Sequence, residues 1–132
     1  MEKGGKILLA KIGIDGHDRG FRTIAAKLRD NGFKVILLGP WSSVDEVVNT
    51  ALQEDPDVVG ISTLGGDYLL IPKLIDKFKE MKLDVPIILG GIIPPEWEKK
   101  LKEIGVKKIF HPGTDLNEVV RHIRELAFKK RG

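Results

Sequence analysis

Asp15 and His17 stand two residues apart in the stretch Lys11-Ile12-Gly13-Ile14-Asp15-Gly16-His17-Asp18-Arg19-Gly20, and they are the residues of this chain best suited to chemistry. A histidine that binds a metal through one ring nitrogen needs an acceptor on the other to fix its tautomer and orientation. Asp15 is close enough to be that acceptor. Glycines stand at 13, 16 and 20, and Gly20 would let a bulky planar ligand approach the backbone. On spacing alone the same stretch reads equally as a turn carrying a satisfied surface histidine. The other two histidines compete poorly. His111 precedes Pro112-Gly113 and reads as a loop histidine, while His122 lies one position from an apolar helical stripe and reads as structural or solvent-facing. Cysteine is absent, which excludes disulfides, zinc thiolates and thiol catalysis. No G-x-G-x-x-G and no Walker A string is present, which argues against a dinucleotide or P-loop site.

The elements that must hold these residues follow from periodicity. Apolar runs at Ile7–Ile12, Phe33–Leu38, Val58–Ser62, Ile87–Leu89 and Val106–Phe110 are continuous rather than alternating, as in parallel strands covered on both faces. Between them the apolar period changes to 3.6. The stripes are Phe21, Ile24, Ala25 and Leu28; then Val44, Val47, Val48, Ala51 and Leu52; then Ile71, Leu74, Ile75 and Phe78. Trp97, Leu101 and Ile104 follow, and then Leu116, Val119, Val120, Ile123 and Leu126. Asn31-Gly32 and Gly105 fall where left-handed helix ends belong. Ser43-x-x-Glu46 is a capping box, and Asp115-x-x-Glu118 an acidic helix start. Pro86 opens a strand and Pro94-Pro95 a helix, both tolerated positions.

This is an α/β pattern with one (βα)5 unit, and it predicts a flavodoxin-like, doubly wound parallel sheet of order 2-1-3-4-5 with helices on both faces. In that order the chain reverses between strands 1 and 3 and opens a crevice at their carboxyl ends. The Asp15/His17 loop, Ser62–Gly66, Gly90-Gly91 and Pro112-Gly113-Thr114 all converge there. At 132 residues the chain predicts one domain over 1–132, with an ordered core of about 6–128. Hydrophobic residues at 42% and charged residues at 31% fit a soluble globular protein. The longest apolar runs fall far short of the ~20 residues that span a bilayer, and no apolar signal region follows Met1–Gly5. The expectation is a cytoplasmic protein with no membrane partner. The net charge of +3 is mild, and no basic stripe with interleaved aromatics points to nucleic acid.

The string DGHDRG, with Lys11 four residues before Asp15, resembles the Asp-x-His-x-x-Gly motif of cobalamin-binding domains. The resemblance extends to Ser-x-Leu at Ser62–Leu64, Gly-Gly at 90–91 and Pro-Gly-Thr at 112–114, in the order and spacing of that family, from about Lys6 to Leu126. LAKIGIDGHDRG and GGIIPPEW look most like the acyl-CoA mutase branch, methylmalonyl-CoA mutase and its relatives. The resemblance implies that His17 displaces the dimethylbenzimidazole of adenosylcobalamin and becomes the axial cobalt ligand. Asp15 would accept from its other ring nitrogen and Lys11 would extend that relay. Gly16, Asp18 and Arg19 would belong to the same cofactor-binding loop, and Gly20 would clear space for the corrin. Ser62 and Leu64 would line the slot for the displaced nucleotide tail, Gly90 and Gly91 would give it room, and Pro112, Gly113 and Thr114 would lie near the tail at a helix start.

It also implies a division of labour. No residue here looks like a substrate acid or base. A separate large catalytic (β/α)8 subunit would hold most of the acyl-CoA, with methylmalonyl-CoA the expected substrate and isobutyryl-, ethylmalonyl- and 2-hydroxyisobutyryl-CoA the alternatives. Leu69, Leu70, Ile92, Ile93 and Trp97 are the apolar residues expected near the docking rim, although Leu69 and Trp97 could equally serve the core. A corrinoid methyl carrier is a further alternative, although such proteins often carry a helical cap for which this chain has no room. A receiver domain fits poorly, because strand 3 ends in Ser62 rather than an aspartate. Two departures stand out. The loop after Leu64 is shorter than the resemblance leads one to expect and lacks a histidine, and His111 occupies a position where glycine is usual.

Overall fold

The computed structural model describes residues 5–12, 19–63 and 67–131. Along the chain come β1 (Gly5–Ile12), α1 (Arg19–Asp30), β2 (Phe33–Ser42), α2 (Val44–Glu54) and β3 (Val58–Thr63). A short 3-10 turn (Asp67–Leu70) leads into α3 (Ile71–Glu80), followed by β4 (Ile87–Gly91), α4 (Pro95–Ile104), β5 (Val106–Phe110) and α5 (Leu116–Arg131). The strands form one sheet of order β2-β1-β3-β4-β5, and every pair is parallel. The predicted architecture is the one found.

Side chains alternate across a strand, so each buried strand feeds two cores. Leu8, Ala10, Val59, Ile61, Ile87 and Leu89 pack with α2, α3 and α4, whereas Ile7, Leu9, Val58 and Ile88 pack with α1 and α5. Both faces are therefore apolar, and that is why the strands read as unbroken hydrophobic runs. Leu74 and Leu101 are fully buried in the first core and Leu28 in the second. Each such leucine contributes about 1.5–3 kcal/mol by leaving water.

The helix ends obey local chemistry. Ser43 accepts from the Glu46 N–H at 3.1 Å while Glu46 accepts from the Ser43 N–H at 3.2 Å, completing the capping box of α2. Gly32 and Gly105 adopt positive φ, 91° and 128°, at the ends of α1 and α4. Asp55 ends α2 in the left-handed region at φ 48°, a conformation that a short polar side chain tolerates.

Three expectations are corrected. β2 runs on to Ser42 instead of stopping at Leu38, with a register irregularity opposite Ala10–Ile12. Pro40 is tolerated in it because β2 is an edge strand, where a missing N–H breaks no inner ladder. Leu52, assigned to the α2 stripe, is 41% exposed. Ile93, expected at an exposed rim, is buried in the core between β4 and α4. No helix among the described residues is long and apolar enough to cross a membrane.

Candidate functional site at the carboxyl edge

Register brings the site residues into line. Lys11 of β1 pairs with Ser62 of β3, Ser62 with Gly90 of β4, and Gly90 with Phe110 of β5. One row across the sheet thus carries three of the expected ligand residues at the carboxyl ends of the strands. The row crosses the β1/β3 boundary, where the winding direction reverses and ligands of such sheets bind.

Below this row, between the sheet and the α1/α5 layer, lies a cavity of about 410 Å³. Leu9, Ile88, Val119 and Ile123 form its apolar walls, Thr23 and Ile24 of α1 close one side, and Ser62 lies at its upper end. Its lip is the turn Pro112-Gly113-Thr114. A slot of this size, apolar with a few polar groups at the rim, suits a ligand of drug-like dimensions.

Missing side chains make the space. A Cβ built on Gly90 meets nothing within 4 Å, so it would point into the open slot. At Gly60 a Cβ would come to 2.8 Å from Leu9 Cδ2. Gly91 differs, because its φ is 145° and a Cβ would be driven into the Thr63 carbonyl oxygen. The glycine at 90 leaves room for a ligand, whereas the glycine at 91 lets β3 and β4 approach.

Lys11 and Thr63 are among the polar side chains buried at this edge. Lys11 is 2% exposed, so it is not a solvated surface charge. The hydroxyl of Thr63 is fully buried and makes no hydrogen bond among the described residues, an arrangement that typically costs about 1–3 kcal/mol. Nothing in the sequence singled out Thr63, since a threonine at a strand end is ordinary there.

The lip is a tight turn. The His111 carbonyl accepts both the Thr114 N–H at 3.2 Å and the Thr114 hydroxyl at 2.7 Å, and Gly113 has φ 89°. Asp115 Oδ1 accepts from the Asn117 N–H at 2.8 Å and caps α5. His111 is an exposed loop histidine, as expected, with Nε2 3.1 Å from Glu98 Oε1. His122 is structural and packs its ring 5.7 Å from that of Phe110.

The expected ligand residues thus divide. Ser62, Gly90, Gly91, Pro112, Gly113 and Thr114 all line the slot. Lys11 joins the same row, and Arg19 and Gly20 open α1. Asp15, Gly16, His17, Asp18 and Leu64 lie outside the described residues.

Sheet order, switch point and slot define a flavodoxin-like ligand-binding domain. The fold alone is shared widely. A cobalamin-binding protein from Desulfitobacterium hafniense superposes with a TM-score of 0.79 at 24% identity over 92% of this chain and 58% of that one. A Francisella response-regulator receiver domain reaches 0.73 at 17% identity over 95% and 98%.

Sequence is more selective. The B12 binding domain family matches residues 5–121, and the chain belongs to that family. The pivalyl-CoA mutase small subunit of Xanthobacter autotrophicus is 42% identical over 96% of this chain and 86% of its own length. For the 2-hydroxyisobutanoyl-CoA mutase small subunit of Aquincola tertiaricarbonis the figures are 41%, 92% and 91%. Methylmalonyl-CoA mutase of Escherichia coli is 41% identical over 92% of this chain, which covers only 17% of that longer protein.

Proposed function

We propose that this chain is the cobalamin-binding small subunit of an adenosylcobalamin-dependent acyl-CoA mutase, a single-domain protein that works with a separate large catalytic subunit. The observation that carries the reading is the apolar slot beneath Ser62 and Gly90, at the same carboxyl edge of the sheet where β1, the strand that precedes Asp15 and His17 in the sequence, comes to its end. A cofactor bound with its dimethylbenzimidazole removed from cobalt needs a place for that base. The open space at Gly90 and the wall formed by Leu9, Ile88, Val119 and Ile123 suit a flat aromatic group. Relatives of matching length are mutase small subunits, which supports the division into two chains.

When bound, adenosylcobalamin supplies the homolysis of its cobalt–carbon bond, and the protein supplies ligation and orientation. His17 would hold cobalt through a ring nitrogen. Asp15 would accept from the other ring nitrogen, and Lys11 would extend that relay. Gly16, Asp18, Arg19 and Gly20 would belong to the same cofactor-binding loop. Ser62, Leu64, Gly90, Gly91, Pro112, Gly113 and Thr114 would house the tail. The partner holds the acyl-CoA and shields the reaction from water.

Methylmalonyl-CoA is the first substrate to test. A second reading, pivalyl- or 2-hydroxyisobutyryl-CoA, is favoured by the names of the relatives that match over most of their own length. The binding test is electron paramagnetic resonance of the chain loaded with cob(II)alamin, with and without 15N-histidine labelling. The expected result is a nitrogen hyperfine splitting that changes on labelling and disappears in His17→Ala. An unchanged splitting would mean that the cofactor keeps its own base on cobalt. Mixing with a large subunit from the same genome, against a panel of the three thioesters, then identifies the substrate. Turnover by this chain alone would overturn the two-subunit reading.

A further inference from the structure

His111 stands at the outer lip of the slot, where β5 gives way to the turn that enters α5. Its Nε2 lies 3.1 Å from Oε1 of Glu98, a residue of α4. α4 packs on one face of the sheet and α5 on the other, so this contact reaches around the edge strand β5. Glu98 is itself held, with Oε2 3.4 Å from Lys102 Nζ one turn along α4, and its side chain is only 23% exposed. On the other side, the His111 carbonyl takes both the N–H and the hydroxyl of Thr114, so the backbone that carries the imidazole is tied to the lip. A polar chain therefore runs from Lys102 through Glu98 and His111 to Thr114. His111, Pro112 and Gly113 are exposed, so apolar packing contributes little to holding this lip in place.

We propose that Glu98 and His111 form a latch that keeps the lip 111–114 seated over an occupied slot. They are positioning residues that set how fast the bound cofactor leaves. The proposal rests on the reading that the cobalamin tail occupies the slot. An imidazole with its proton on Nε2 donates to the carboxylate whether neutral or charged, so the contact needs only the right tautomer. A partly exposed pair of this kind is worth roughly two- to fivefold in a rate or equilibrium constant.

The test has two arms. In the first, hydroxocobalamin release is followed with an excess of a cobalamin-scavenging protein for wild type, E98A, H111A, the double variant and H111Q. Each single variant is expected to release about two- to fivefold faster. The double variant is expected to be no faster than either, and H111Q, whose amide can still donate to Glu98, to recover the wild-type rate. Wild-type release in both single variants, or effects that add in the double, would overturn the latch. In the second arm, amide hydrogen exchange at Gly113, Thr114 and Asp115 is measured without cofactor, and E98A is expected to speed it. Unchanged exchange overturns the latch whatever the release rates. Failure of the wild-type chain to take up hydroxocobalamin at all overturns the functional reading, with exchange still deciding the latch.

Discussion

At Gly90 an added methyl would project into the slot and meet nothing within 4 Å, whereas at Gly91 it would collide with the Thr63 carbonyl. The two substitutions should therefore fail in different assays. Gly90→Val is expected to melt close to wild type yet to bind cobalamin more weakly. The displaced volume costs about 1–3 kcal/mol, roughly 5- to 150-fold in affinity. Gly91→Val is expected to lower the melting temperature itself, because φ 145° is strained for any side chain and the clash is with backbone. Thermal unfolding beside a visible-spectrum titration separates the two, and a Gly90→Val that binds like wild type would remove the tail from this slot. The sequence flagged both glycines as room for a ligand. It could not divide their roles, because the division depends on a carbonyl of the neighbouring strand. Thr63 was invisible for a similar reason, since full burial of its hydroxyl is a property of the assembled edge.

Among the elements, those bounded by caps were legible and those bounded by tertiary contacts were not. The Ser43/Glu46 box fixes the start of α2, and Gly32 and Gly105 the ends of α1 and α4, through contacts within a few residues. The extension of β2 through Pro40 to Ser42 depends on pairing with β1 around an irregularity, which no local pattern encodes. The cap offers a clean control. Ser43→Ala is expected to cost about 1 kcal/mol, read as a lower denaturant midpoint. Cobalamin affinity should not change, since α2 packs on the sheet face away from the slot. A loss of affinity there would mean that the two faces are coupled through the sheet.

At the scale of the whole molecule, strand order followed from the alternation of apolar runs and helical stripes, because right-handed crossovers leave few topologies. The slot did not follow, since it is a volume left between elements. Beyond the carboxyl ends of β3 and β4, Leu69 is 56%, Leu70 39% and Ile92 63% exposed, while Ile93 is 6% exposed. Exposed apolar side chains beside the site suit the large subunit as their cover. Ile92→Glu and Leu69→Glu are expected to weaken co-elution with that subunit and to leave cobalamin binding by the isolated chain intact. Ile93→Glu should instead unfold the chain, because it places a charge in the core. Full assembly of the Ile92→Glu, Leu69→Glu double variant would place the docking surface elsewhere.

The slot lies between the sheet and the α1/α5 layer, and α5 packs back onto a sheet in which β1, an inner strand, is made before the others. On a ribosome, β1, α1 and the Asp15/His17 loop emerge long before the wall formed by Val119 and Ile123. The loop that would hold cobalt therefore waits, until α5 has been made, for the place that would hold the tail. Cofactor loading belongs after translation has passed α5, and a nascent chain carrying the whole ligand loop is still not a binding protein.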